Sequence, residues 1–301
     1  MKKRIVLLAA ILLLFGSFIV SNYSAKDDTL TVAGGVTSES QILGNIVVEL
    51  LQHSTDHNVV YLNNLGSANL MHEAMLRGDL DIAPTRYTGT DLIGTLGLPT
   101  EKEPDKALEI VQREFDRRFG FDWFPSYGFS NQFTFMVTQE TAKKYGLKKV
   151  SDLKKCASKM RLGSDQTWYK REGDGYKGYT EAYDTKFQRV YPMQVGLLYD
   201  ALVANELDVI LGYSTDGRVG SYDLVMLEDD LRFFPPYDAA PIVSNKLLKT
   251  DPKVKDALER LAGKISTEEM QRLNYRADND LVEPQIVAED FLKEHNYFEG
   301  K

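Results

Sequence analysis

Residues 72–87, HEAMLRGDLDIAPTRY, and residues 199–213, YDALVANELDVILGY, are two versions of one arrangement: a helix end, an acidic Leu-Asp pair, a short apolar run and a tyrosine. Ala201 answers Ala74, and Leu207, Asp208 and Val209 answer Leu80, Asp81 and Ile82, each 127 positions on; Tyr213 stands one position off that spacing from Tyr87. A unit that recurs at this distance in a 301-residue chain points to two lobes, each ending a strand in an aromatic ring. The elements around the first copy set the fold class. LTVAGG reads as a strand, and SESQILGNIVVELLQHS as a helix, with Ser38 and Gln41 in the form of a capping box and Ile42, Leu43, Ile46, Val47, Leu50 and Leu51 on one face. A strand over 58–62, a helix over 68–77 closed by Gly78, and a strand over 80–83 stopped by Pro84 follow. Such alternation predicts a mostly parallel sheet flanked by helices, whose ligands lie beyond the carboxyl ends of the strands, where Tyr87 falls.

NQFTFMV, residues 131–137, alternates as a strand and reads as the crossing to the second lobe; residues 231–248 read as the return, with Pro235 and Pro236 ahead of Tyr237. The expected architecture is α/β with two lobes, 29–134 with 238–301 and 135–237, and a ligand in the cleft between them. The helical stretch from Asp251 is expected on the first lobe.

The chain opens MKKR and continues through sixteen uncharged residues, Ile5 to Val20. This reads as an export segment over residues 1–25, with cleaved leader and uncleaved N-terminal anchor both open, and it places the body outside the cytoplasm. The formal charge is −8, and −11 once Lys2, Lys3 and Arg4 are set aside. Such a body repels nucleic-acid phosphates, so no nucleic-acid partner is expected.

Enzyme signatures fail. His53 and His57 stand at i and i+4 without the glutamate of a zinc-protease motif and are read as a solvated helix end. GGVTS and GDGYKG lack phosphate-loop or dinucleotide spacing, and no GxSxG occurs. Asp216 and Arg218 read as a turn with a local ion pair. Cys156, the single thiol, is read as incidental. No cofactor or metal is expected.

The tyrosines are more informative. Several of the sixteen stand beside glycine, proline or threonine instead of on apolar faces: RYTGT, SYGFS, LGYST, PPYDA. Rings from several loops converging on a cleft suit a diffuse, poorly hydrated cation such as a trimethylammonium group, at ~0.5–2 kcal/mol for each contact. Four such contacts approach the ~8 kcal/mol of micromolar binding before ordering costs, so polar contacts have to contribute.

LDIAPTRYTGT, YGFSNQFTFMV, LGYSTDGR and PPYDAAPIV together resemble the substrate-binding proteins of Opu-type bacterial ABC importers for glycine betaine, carnitine and choline, over about Thr29 to Tyr297. The resemblance implies a type II periplasmic-binding-protein fold, a monomer that hands its ligand to a permease driven by a cytoplasmic ATPase, and no catalysis. It implies an aromatic cage of Tyr87, Phe133, Tyr213 and Tyr237, with Phe133 where relatives commonly carry tyrosine, and polar contacts from Thr90, Asn131 and, more weakly, Gln41, whose alternative is the capping box. Thr90 replaces the aspartate of choline-restricted relatives and implies a range that includes zwitterions. The alternatives are an extracytoplasmic sensor with the same pocket and a two-lobed transferase-like enzyme.

Overall fold

The computed structural model describes residues 29–171 and 173–298, so the segment read at 1–25 lies outside the described residues. Among the described residues, ten strands form two five-stranded sheets. The first holds β1 (Thr29–Ala33), β2 (Asn58–Leu62), β3 (Ile82–Tyr87), β4 (Phe121–Trp123) and, from the end of the chain, β10 (Ala239–Ser244), in the order β2-β1-β3-β10-β4. The second holds β5 (Phe133–Thr138), β6 (Arg161–Ser164), β7 (Arg189–Pro192), β8 (Val209–Tyr213) and β9 (Leu224–Met226), in the order β7-β6-β8-β5-β9. The two orders are the same pattern, with β3 and β8 in equivalent places.

Both sheets are mixed but mostly parallel, as expected: in each, four strands run one way and only one, β10 or β5, is reversed. β1 pairs in parallel with β2 and β3, but β10 runs antiparallel to β3 and β4; β5 likewise runs antiparallel to β8 and β9. The reason is the crossing. β5 and β10 each follow a chain segment arriving from the other lobe, and so enter against the strands already there. The crossings run side by side, with Asn131 N donating to Tyr237 O at 3.0 Å and Ser130 bridging Asp238 in antiparallel sense. Phe133 and Thr134 belong to the second sheet.

The repeated Leu-Asp pair has a structural task. Asp81 accepts from both the backbone N and Oγ1 of Thr31 at 2.8 Å, and Asp208 accepts from the backbone N and Nε of Arg161 at 2.8 and 2.9 Å. In each lobe this carboxylate clamps the central strand, which carries the tyrosine, to the parallel strand beside it.

Pro84 lies inside β3 and does not end it. The ladder from β1 reaches only Ile82, and toward β10 the register shifts between Ala240 and Ile242, so the missing N–H of Pro84 falls at a bulge. The helix Ser38–Ser54 is buried along most of its length, packed between the first sheet and the C-terminal helices. Its N-cap is Thr37, which accepts from Ser40 N; the expected Ser38–Gln41 box does not form.

The C-terminal helices pack on the first lobe, and one also reaches the second. From the helix Thr267–Asp278, Gln271 Nε2 donates to Ser214 O at 2.7 Å and Asn274 Nδ2 to Thr215 O at 2.9 Å. The approach is so close that a Cβ on Gly217 would fall 2.5 Å from Tyr275. His53 is exposed in the last turn of its helix, as read from the sequence, with its ring 4.0 Å from that of Phe298, whereas His57 lies beyond the helix, half-buried, with Nε2 2.8 Å from Asp251.

Candidate ligand-binding site

Tyr87 is the last residue of β3 and Tyr213 the last of β8, so the repeat delivers one ring from each lobe at the same topological place. Phe133 opens β5 directly opposite Tyr213, with ring centroids 4.9 Å apart and planes 30° from parallel. Tyr237 stands on the return crossing, two residues before β10. These four rings, with Thr90, Asn131 and Arg171, line one cavity of about 300 Å³. Tyr213 and Tyr237 are half-buried, and burial raises both phenol pKa values, with the nearby carboxylates of Asp165 and Asp174 acting in the same direction. Each ring therefore presents a neutral phenol.

The motif RYTGTD builds this corner residue by residue. Arg86 is wholly buried and forms a two-pronged ion pair with equally buried Asp91, Nε to Oδ2 at 2.9 Å with a second contact between Nη2 and Oδ1. That pair closes the turn out of β3. Thr88 Oγ1 donates to Pro236 O at 3.1 Å, tying the turn to the return crossing. Gly89 lets Tyr237 approach: a Cβ there would lie 2.6 Å from Pro236 O and 3.1 Å from the tyrosine ring. Thr90 then faces the cavity on the short helix Thr88–Gly94.

Six of the seven residues expected at the site thus share one cavity; Gln41 does not. Its Nε2 lies 3.4 Å from both Gly35 O and Asn64 Oδ1, away from the rings. It sits on the second turn of its helix, and the residue that reaches inward is Glu39, half a turn earlier. Glu39 is 4% exposed and accepts from the Tyr87 hydroxyl at 2.5 Å, from Asn131 Nδ2 at 2.9 Å and from Asn274 Nδ2 at 3.1 Å. It lines a second cavity, of about 470 Å³, that shares Tyr87, Asn131 and Tyr213 with the first. Burial, and after it the Glu39 charge, push the Tyr87 hydroxyl well above the usual phenol range, so it stays a donor.

Arg171 is the other residue the sequence did not single out. Its guanidinium carbon stands 5.2 Å from the centroid of Phe133, and Nη1 lies 3.5 Å from Asp174. A lone arginine in YKREGDG and a glutamate in a helix first turn are both commonplace, the latter as a complement to the helix dipole. Neither spacing nor composition marks them.

Asp216 and Arg218 form the expected local pair, at 2.7 Å between Oδ2 and Nη2. Cys156 is buried in the second-lobe core, where desolvation raises its thiol pKa; this is the opposite of an activated nucleophile. The only triad of potential metal ligands among the described residues, Glu269, Glu294 and His295, is crossed by Arg272, which ion-pairs with both glutamates at 2.7 Å.

Two lobes joined by paired crossings, with side chains from both closing on one small ring-lined cavity, define a ligand-binding protein of the type II periplasmic-binding class. The chain belongs to the family described as the substrate binding domain of ABC-type glycine betaine transport systems, whose model matches residues 28–294. It is 51% identical, over the whole of both chains, to the carnitine transport binding protein OpuCC of Listeria monocytogenes. It is 30% identical, over 90% of this chain and 89% of the other, to a glycine-betaine-binding protein of Pseudomonas aeruginosa. A crystal structure titled as a glycine betaine/carnitine/choline ABC transporter superposes with a TM-score of 0.87 at 49% identity, covering 90% of this chain and all of that one. The family binds and does not catalyse.

Proposed function

We propose that this protein captures small quaternary ammonium zwitterions, of the glycine betaine and carnitine type, outside the cytoplasm and passes them to the membrane permease of an ABC importer, with the N-terminal segment as its tether. The observation that carries this reading is the convergence of four rings from four separate chain segments, Tyr87, Phe133, Tyr213 and Tyr237, on one cavity of about 300 Å³. A trimethylammonium group cannot donate hydrogen bonds and is held by ring faces instead. Arg171 and Thr90 supply the other half of the recognition. A guanidinium on the cavity wall repels a bare cation and attracts a carboxylate, and the Thr90 hydroxyl donates to it. Asn131 Oδ1 is buried with no partner among the described residues and suits a ligand hydroxyl. The relatives' named ligands, carnitine and glycine betaine, are zwitterions of this kind.

The test is calorimetric titration of the exported body with glycine betaine, carnitine, choline and proline. Trp123 and Trp168, 1% and 0% exposed, provide a second signal through their fluorescence. Saturation by the quaternary amines, tighter for the two zwitterions than for choline, is the expected result; binding of proline alone would overturn the reading.

Thr90→Asp is expected to shift this range. A carboxylate at that wall repels the ligand carboxylate and attracts a bare cation, so glycine betaine should weaken by about tenfold while choline holds or gains. Unchanged glycine betaine binding in the variant would remove Thr90 from the specificity argument.

A further inference from the structure

Glu39 is a buried acid with no basic partner: among the described residues no lysine, arginine or histidine lies within ion-pair distance of it. Three donors converge on it, from Tyr87, Asn131 and Asn274, and no acceptor does. That is the pattern of an ionised carboxylate, which accepts and does not donate. Its position in the first turn of the helix Ser38–Ser54 sets it against the positive end of the helix dipole. A buried charge left without a counter-ion is costly, and proteins keep one where a partner arrives.

Its neighbours say which partner. Tyr87 is a wall of the ring-lined cavity, so the charge stands behind one cage ring. Asn274, 4% exposed, donates at once to Glu39 and to Thr215 O, two residues beyond Tyr213, so the same carboxylate is tied to the second lobe beside another cage ring. Arg171 stands on the opposite side of the balance, as the cation already on the cavity wall over Phe133.

We propose that Glu39 is the specificity-determining counter-charge of the cage: it positions Tyr87 by a hydrogen bond, and its negative charge, acting through space, sets how well bare quaternary cations compete with zwitterions against the opposing influence of Arg171. This deepens, and rests on, the quaternary ammonium reading of the same site. A bare cation feels the full attraction of the buried charge. In a zwitterion the attraction on the ammonium is offset by repulsion of the carboxylate.

The experiment measures the ratio of choline to glycine betaine affinity by calorimetry in the full exported body. Glu39→Gln is expected to lower that ratio about tenfold, the fold-change for a charge interaction in a half-buried site. Glu39→Asp, which keeps the charge and shortens its reach, is expected to weaken both ligands and preserve the ratio. Tyr87→Phe, which removes the hydroxyl link and leaves the charge, should likewise preserve it. If Glu39→Gln does not fold, Glu39→Met replaces the buried charge with an apolar chain of similar length and must show the same fall. Equal loss of both ligands in the neutral variant, which is what a purely structural Glu39 would give, overturns the proposal while leaving the cage intact. Failure of the wild-type protein to bind either ligand would instead overturn the quaternary ammonium reading.

Discussion

Tyr213→Ala is expected to weaken glycine betaine and carnitine by about thirtyfold to a hundredfold. The estimate combines one lost cation–π contact with the loss of packing around it, together ~2–3 kcal/mol, in a site where a few buried aromatic groups carry most of the binding energy. Tyr213 is the sensitive choice because its ring stacks on Phe133 at 4.9 Å, so truncation also uncovers a second wall. Water then reaches a ring face that had been dry. Tyr213→Phe is the matching control. The Tyr213 hydroxyl makes no hydrogen bond among the described residues, so the phenylalanine variant should bind within about threefold of wild type. Calorimetry on the pair separates ring from hydroxyl. An alanine variant as tight as wild type would mean that the four rings share a cavity without sharing a ligand.

The largest stability effect is expected at Asp91. Arg86 and Asp91 are both 0% exposed, and removing one partner leaves the other charge buried and uncompensated, at a cost of ~3–5 kcal/mol. Arg86 would keep only a neutral hydroxyl, Thr95 Oγ1 at 3.3 Å from Nη2, and the Phe115 ring 5.9 Å away, while Nη1 already has no partner among the described residues. Asp91→Ala should therefore lower the melting temperature by about 10 °C, read by calorimetry or dye-monitored unfolding. The double variant Arg86→Met with Asp91→Leu should recover much of the loss, because a well-packed apolar pair is commonly as stable as a buried ion pair. A double variant no more stable than Asp91→Ala would show that the pair's contribution lies in packing at that corner. Since the same turn presents Tyr87 and Thr90, the single variant should weaken ligand binding as well.

Much of the first lobe was legible because its local patterns agree with its tertiary environment. The helices Ser38–Ser54 and Ala68–Arg77 and the strand Asn58–Leu62 occupy the spans their periodicity predicts. Pro84 misled the reading, since a strand-ending residue on local grounds is tolerated where a bulge in β3, opposite β10, removes the demand for its N–H. Gln41 misled it differently. The motif match carried its residue type across, but the helix begins one residue earlier than the capping box implies, and rotation about the helix axis turns Gln41 away and Glu39 inward.

The sequence by itself determined that this is an exported, two-lobed α/β chain with rings at equivalent strand ends, because hydrophobic period, turn residues and an internal repeat are local properties and survive without a fold. It also singled out the four rings that line one cavity, through motifs whose spacing is short. Only the tertiary structure decided what surrounds those rings. The ionic partners that matter, Glu39 behind Tyr87 and Arg171 over Phe133, lie 48 and 38 positions from the rings they touch. Electrostatics acts through space, and a charge acquires its role from what the fold brings beside it.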